Sequence, residues 1–244
     1  MPSGVEFVEL HGEAMVALVR AVDALAHAGL GRYAIVGGVA VTARLGQAHR
    51  ATADLDTVVD ETMPPDAVEA LLRLPSASPD PSAGHRVLVD GTKIEILSVG
   101  PVEDQDLRGI PDQDALFVAA HAWALDTATP LTLVAGELRA TASVASPAAL
   151  VAMKLHAIED RSATRGQDKR AGDAWDIYRL LVDRDSRGEI RQDMGRASAA
   201  LRRLVAEAAE RVLVRNVART RSWLAAGDVT MASVTVDELR FVGE

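Results

Sequence analysis

The sequence predicts an α+β protein, with a mixed sheet and flanking helices over residues 1–145 and a helical domain over residues 146–244. In the first part, strand-like and helix-like segments follow one another irregularly, unlike the regular alternation of a doubly wound parallel sheet. After Ser146-Pro147, a typical helix start, the segments with a clear periodicity are helical. A chain of 244 residues is long enough to form one or two compact domains.

The elements of the first part follow from apolar spacing and turn residues. Helix 5–28 is indicated by apolar residues at helical spacing, such as Leu18 and Leu25. Strands 86–89 and 93–97 are joined through Asp90-Gly91, a strong hairpin signal. The remaining predicted elements are strand 33–36, helix 39–45, strand 54–59, a helix from Pro64-Pro65 to residue 74, a loop over 75–84, helix 112–124 and a hairpin over 130–144 turning near Gly136.

The second part is predicted to contain helices 147–161 and 169–182, separated by a loop over 162–168. One or two further helices fall within residues 190–225, and the last 20 residues show no clear pattern.

Composition excludes several classes of protein. The chain has no cysteine, which excludes disulfide scaffolds, zinc-thiolate sites and cysteine nucleophiles. None of the six histidines forms a His-x-x-x-His pair, so a histidine metal site is not expected. The first ten residues carry no basic residue, and no apolar run approaches a membrane span. We therefore expect a cytoplasmic protein with no membrane partner.

The net charge of −9 argues against a generic nucleic-acid-binding surface. The charge is uneven, however, with +5 over residues 151–225 and −14 over the rest. Arginines and one lysine of the basic region could track phosphates, or they could be solvated helix faces: Arg161, Arg165, Lys169, Arg170, Arg196, Arg202, Arg203, Arg211, Arg215, Arg219 and Arg221.

Three acidic residues on predicted strands are the first candidate site. Asp54 and Asp56 alternate with Leu55, so they point to the same side of their strand. Glu95 lies on a later strand, on the side opposite Ile94 and its neighbouring isoleucine. Two carboxylates on one face repel unless a cation lies between them, and Mg²⁺ favours such oxygen ligands. The alternative is an ordinary exposed strand with solvated acids.

Gly37-Gly38 stands between a predicted strand and a predicted helix. Without a Cβ the backbone can turn tightly and approach a phosphate, and a helix N-terminus favours an anion. The order of these features resembles that of the polymerase-β-type nucleotidyltransferases: a strand, Gly-Gly, a short helix, a strand with Asp-x-Asp, and an acidic residue on a later strand. The pattern GG…HRxTxDxD, which includes His49, Arg50 and Thr52, more specifically resembles the AbiEii/MenT group of nucleotidyltransferase toxins.

The second half is also similar to this group, in the run MKLHAIEDR…DKRAGDAWDIYRLL. Lys154 and Arg161 lie seven residues apart on one helix face, and Lys169, Asp173 and Asp176 share a face of the next helix. The alternative is a helix pair with an intrahelical Lys169–Asp173 ion pair, worth about 0.3–0.5 kcal/mol.

The resemblance implies an enzyme that transfers a nucleoside monophosphate from a nucleoside triphosphate, with Mg²⁺ or Mn²⁺ as cofactor. It assigns metal binding to Asp54, Asp56 and Glu95, and nucleotide binding to Gly37, Gly38, Arg50, Thr52, Lys154, Arg161 and Lys169. Asp173 and Asp176 would sit near the nucleotide or act in proton transfer. Two positions depart from the family, which more often has Asp at Glu95 and usually has Lys at Gly172. Lys169, one helical turn before Asp173, could substitute for the missing lysine.

The acceptor implied by the resemblance is RNA, most simply a tRNA 3′ end, and the implied role is the toxin of a toxin–antitoxin pair with a cognate antitoxin protein. Three alternatives stay open at this point. The acceptor could be a small-molecule hydroxyl or a protein hydroxyl, or the chain could bind nucleotides without turnover.

Overall fold

The computed structural model describes residues 6–47, 52–63, 66–161, 167–184, 188–215 and 217–224. The chain divides into two compact units, the first formed by Met1–Pro101 and Ala124–Ser146 and the second by Val102–Trp123 and Pro147–Glu244. The chain passes from the first unit to the second after Ser146, and residues 102–123 also belong to the second unit.

Within the described residues, eight strands form one sheet in the order β1-β7-β8-β2-β3-β6-β5-β4. Pairs β1–β7, β2–β8 and β3–β6 are parallel and the other four are antiparallel, so the sheet is mixed, as predicted. The strands are β1 (Glu6–Glu9), β2 (Tyr33–Val36), β3 (Asp54–Asp60), β4 (Ala77–Pro79), β5 (Arg86–Val89), β6 (Thr92–Val99), β7 (Thr129–Ala135) and β8 (Leu138–Val144).

Among the described residues of the first unit, three helices accompany the sheet: α1 (Glu13–His27), α2 (Gly37–Leu45) and α3 (Ala67–Leu72). Helix α1 buries Leu18, Val22 and Leu25 and packs on strands β7, β8, β3 and β6. Helix α2 begins at Gly37, directly after β2, two residues earlier than predicted. Helix α3 begins at Ala67 because the Asp66 carboxylate accepts a hydrogen bond from the backbone N–H of Glu69. The predicted start at Pro64-Pro65 lies outside the described residues.

Two predictions for this unit are wrong. Residues 6–9 form β1, paired with β7, rather than the first turns of a helix. Gly12, with a φ of 102°, separates β1 from α1. The predicted loop over 75–84 contains β4, which pairs with β5. Each of these strands forms because its backbone N–H and C=O groups make hydrogen bonds with a partner strand, β7 for β1 and β5 for β4. Local composition does not show such pairing.

The second unit is helical, so the α+β fold class predicted from the sequence is confirmed. Its helices are α4 (Asp112–Asp126), α5 (Pro147–Asp160), α6 (Gln167–Arg184), α7 (Glu189–Arg196), α8 (Ala199–Ala209) and α9 (Val217–Leu224), with a π-helical turn over Glu210–Val214. Helix α5 is central, because it packs on α6, α7 and α8 and buries Leu150, Leu155 and Ile158. Across the described ranges, no helix is both long and apolar enough to cross a bilayer.

Candidate functional site

The three predicted strand acids lie side by side on one face of the sheet. Strands β3 and β6 are parallel, and their register pairs Asp56 with Glu95 and Asp54 with Lys93. Paired residues of neighbouring strands point to the same face, so Asp54, Asp56 and Glu95 form one group. Leu55, between the two aspartates, is buried on the opposite face. We call this group, together with the two cations described next, the carboxylate face.

Two basic side chains on the same face contact the carboxylates. Lys93 Nζ lies 3.1 Å from Asp54 Oδ2, and Arg86 Nε donates a hydrogen bond to Glu95 Oε2 at 2.8 Å. His85 Nε2 lies 3.8 Å from the other oxygen of Glu95. The Glu95 carboxylate raises the pKa of the Arg86 guanidinium through this hydrogen bond. Three carboxylates and two cations leave the face with a net charge of −1.

Sequence reasoning missed Arg86 and Lys93 as parts of the site, although one signal for Arg86 was present. The predicted two-residue turn Asp90-Gly91 pairs residue 89 with 92, and continuing that register pairs Arg86 with Glu95. The contact between Lys93 and Asp54 depends on the pairing of β3 with β6, which the sequence does not specify.

Gly37 provides the space that the Asp56 carboxylate occupies. Gly37 has a φ of +67°, which L side chains rarely adopt. A Cβ at Gly37 would lie 2.7 Å from Asp56 Cγ and 2.9 Å from Asp56 Cβ, closer than atoms can approach. The Asp56 carboxylate therefore lies against the first residue of α2, beside the turn predicted to approach a phosphate. Gly38 follows as a buried residue of the same helix.

The carboxylates of this face are ligands that suit a divalent cation, although their side chains do not converge on one metal position. Three carboxylates on one face offer the oxygen ligands that Mg²⁺ and Mn²⁺ prefer. In the part of the chain that the structure describes, no three His, Asp or Glu side chains converge on one metal position. The reason is local, since Asp54 and Glu95 are engaged by Lys93 and Arg86. A metal would need these two carboxylates to exchange partners.

The structure says less about Arg50 and Thr52, the other predicted site residues of the first half. Arg50, together with His49, lies outside the described residues. Thr52 is half-buried in the irregular segment that precedes β3.

Four of the five predicted site residues of the second half form an ion cluster within the second unit. Lys154 Nζ of α5 lies 2.8 Å from Asp173 Oδ1 and 2.8 Å from Asp176 Oδ2, both on α6. Arg161, just after α5, also pairs with Asp173. The side chains of Asp173 and Asp176 are 5% and 0% exposed, so this is a buried ion cluster. It joins two helices, unlike the intrahelical pair considered from the sequence, while Lys169 is exposed.

Several arginines of the basic region pair with acids of their own unit. Arg211 donates to Glu159 at 2.7 Å, and Arg203 donates to Glu207 at 2.9 Å. Arg196 pairs with Asp193, and Arg215 pairs with Glu210. These ion pairs reduce the free positive charge that the sequence suggested for a phosphate-tracking surface.

The comparison with solved structures finds matches, whereas the comparisons with protein families and curated proteins find none. A crystal structure described as an antigenic nucleotidyltransferase-like protein from Paracoccidioides brasiliensis matches at 18% identity with a TM-score of 0.42. The match covers 86% of this chain and 92% of that chain. Because the TM-score is below 0.5, the function proposed below rests on the chain's own residues and not on this likeness.

Proposed function

We propose that this chain is a divalent-metal-dependent nucleotidyltransferase, which moves a nucleoside monophosphate from a nucleoside triphosphate to an acceptor. The observation that carries the proposal is the carboxylate face, where Asp54, Asp56 and Glu95 lie in register on β3 and β6. The Asp56 carboxylate also lies against Gly37 at the start of α2. Acidic ligands thus stand beside a glycine turn and a helix N-terminus, two features that favour a phosphate.

The reaction forms a bond between an acceptor oxygen and the α-phosphorus, and it breaks the bond to pyrophosphate. Such transfers depend on positioning and on neutralising charge, rather than on a covalent protein intermediate. Asp54, Asp56 and Glu95 are the residues that would hold Mg²⁺ or Mn²⁺, which would supply charge neutralisation for the triphosphate. The backbone N–H groups at the start of α2, at Gly37 and Gly38, would bind phosphate oxygens of the triphosphate.

The roles of Arg50, Thr52, Lys154, Arg161 and Lys169 in binding the nucleotide stay predictions from the sequence. For Asp176 the proposal favours positioning, because its side chain is 0% exposed and contacts Lys154. A buried carboxylate can fix the direction of a lysine without touching a substrate.

The acceptor expected from the sequence is RNA, most simply a tRNA 3′ end, in a toxin that is controlled by an antitoxin protein. A second candidate is transfer to a small-molecule or protein hydroxyl. The small number of aromatic side chains that could stack on bases favours this candidate, since the chain has three Phe, three Trp and two Tyr. Retention of all three carboxylates on one face disfavours a chain that binds nucleotides without turnover.

The proposal is tested by incubating the protein with each α-labelled nucleoside triphosphate, Mg²⁺ and total tRNA. Asp56→Asn serves as the inactive variant, and Asp60→Asn as the matched control on the same strand and the same face. Asp60 is engaged by Thr62 and Arg32 and lies at the opposite end of β3 from Asp54. We expect label on an acceptor with wild type and Asp60→Asn, and its loss with Asp56→Asn.

The labelled product identifies the acceptor class. Label on RNA supports the RNA acceptor, label on the protein supports a protein acceptor, and label on an added aminoglycoside or nucleoside supports a small-molecule acceptor. Absence of labelled product with all four nucleotides, or equal labelling by wild type and Asp56→Asn, contradicts the proposal.

A further inference from the structure

The carboxylate face contains two cations that the resemblance to nucleotidyltransferases does not assign. Register places Arg86 directly beside Glu95 and Lys93 directly beside Asp54. Each cation therefore contacts one carboxylate of the group: Arg86 at 2.8 Å and Lys93 at 3.1 Å. Asp56, the third carboxylate, lies against Gly37.

We propose that Arg86 and Lys93 compete with the divalent cation for Glu95 and Asp54, and that metal binding releases both side chains to bind the phosphates of the substrate. This inference rests on the proposed function and adds two anion-binding residues to the same site. In the metal-free protein, Arg86 pairs with the Glu95 carboxylate and Lys93 with the Asp54 carboxylate. In the metal-loaded protein, the polyphosphate takes the place of the carboxylates as their partner.

Charge on the face supports this exchange. Without metal, the face has a charge of −1, and the nearby Asp80 carboxylate, which interacts with Arg86 and Lys93, brings the local charge to −2, so the face has little attraction for a polyphosphate. One divalent cation changes this local charge to 0 and a second changes it to +2. A triphosphate carries several negative charges, so its attraction to the face increases with each metal ion bound.

Accessibility also supports the exchange. The side chains of Arg86 and Lys93 are 30% and 33% exposed, and those of Glu95 and Asp54 are 25% and 49% exposed. Both ion pairs are partly exposed to water, which weakens the attraction within each pair. Exchanging their partners therefore costs less energy than it would for a fully buried pair. Both cations sit on flexible stems, so their charged ends can turn from a carboxylate to a phosphate oxygen on the same face.

The inference predicts effects of opposite sign on two ligands. Lys93→Gln and Arg86→Gln each remove a competitor of the metal, so each should bind Mn²⁺ about three- to tenfold more tightly than wild type. The same variants should bind inorganic tripolyphosphate at saturating Mn²⁺ about three- to tenfold more weakly. Lys93→Arg keeps the charge, so its Mn²⁺ affinity should stay close to that of wild type.

The experiment measures both affinities by calorimetry with the full chain, and confirms Mn²⁺ binding by the loss of the free-ion electron paramagnetic resonance signal. Arg73→Gln is the matched control, because Arg73 pairs only loosely with Glu69 at 3.8 Å in an exposed position off this face. Far-UV circular dichroism verifies that each variant is folded. Tripolyphosphate makes the result independent of base preference.

The outcomes separate this inference from the proposed function. Opposite shifts in Lys93→Gln and Arg86→Gln, absent in Arg73→Gln, support the inference. If wild type binds Mn²⁺ and Asp56→Asn does not, but Lys93→Gln and Arg86→Gln behave like Arg73→Gln, only the inference is overturned. If neither wild type nor any variant binds Mn²⁺, the metal-dependent function proposed above fails, and the inference fails with it.

Discussion

Replacing Gly37 with alanine should disturb the carboxylate face more than the same change at Gly46, the residue that caps the C-terminus of α2. Gly37 and Gly46 both have positive φ, +67° and +75°, at the two ends of this helix. An alanine at either position costs about 1–2 kcal/mol for the left-handed backbone. The two positions therefore share the backbone effect and differ in their surroundings.

The different surroundings of Gly37 and Gly46 determine how much more stability Gly37→Ala should lose. A Cβ at Gly46 meets nothing within 4 Å, whereas a Cβ at Gly37 would lie 2.9 Å from Asp56 Cβ. Rotation of the carboxylate does not move Asp56 Cβ, so β3 and α2 must separate. Overpacking of this kind costs about 1–3 kcal/mol. Gly37→Ala should thus lower the local free energy of unfolding by about 1–3 kcal/mol more than Gly46→Ala does. It should also weaken Mn²⁺ binding at the carboxylate face.

Hydrogen–deuterium exchange of peptides covering β2 and β3 measures the local free energy of opening, and calorimetry measures Mn²⁺ affinity. The reasoning is refuted if Gly37→Ala and Gly46→Ala show the same opening free energy and the same Mn²⁺ affinity.

Two further predictions concern the second unit, which contains all three tryptophans, so tryptophan fluorescence reports on its unfolding. Lys154→Met leaves Asp176 buried without its lysine and should cost about 3–5 kcal/mol in denaturant unfolding, whereas exposed Lys169→Met should stay within about 0.5 kcal/mol; equal losses would refute the burial argument. Burial lowers the pKa of His121 to about 4 from 6.5, so the neutral form stabilises the fold above pH 6.5. As the pH falls from 6.5 to about 4, the free energy of unfolding of the wild type should decrease by about 3 kcal/mol more than that of His121→Leu. Parallel pH profiles of the two proteins would contradict this prediction.

His121 also shows which features stay hidden in a sequence. Its Nδ1 lies 2.6 Å from the Phe117 carbonyl oxygen, to which the neutral ring can donate. The ring also packs against Phe117, with ring centroids 4.1 Å apart. A histidine four residues after a phenylalanine on a predicted helix is compatible with this contact, but the depth of burial depends on the packing of α4.

The carboxylate face was predictable to the extent that local rules determine it. Alternation in a strand places Asp54 and Asp56 on one side, and the Asp90-Gly91 turn sets the pairing of Arg86 with Glu95. The adjacency of Asp56 and Glu95 requires β3 and β6 to pair in parallel, across an interval that contains α3 and two other strands. No local pattern specifies such a long-range pairing.

The second-unit cluster illustrates the same limit. Helical periodicity correctly places Asp173 and Asp176 on one face of α6, where both contact Lys154. Periodicity alone does not distinguish a partner on the same helix from one on a neighbouring helix. The choice of Lys154 rather than Lys169 as a partner depends on how α5 packs on α6, which is a property of the core.

The central claim is that Asp54, Asp56 and Glu95 act as one metal-binding group in nucleotidyl transfer. The most direct measurement compares transfer rates of Asp54→Asn, Asp56→Asn and Glu95→Gln with that of the triple variant, using the acceptor identified by labelling. Residues that act as a unit are non-additive, so each single variant should lose at least about 100-fold and the triple variant little more. Additive losses, or a single variant with wild-type activity, would contradict the claim.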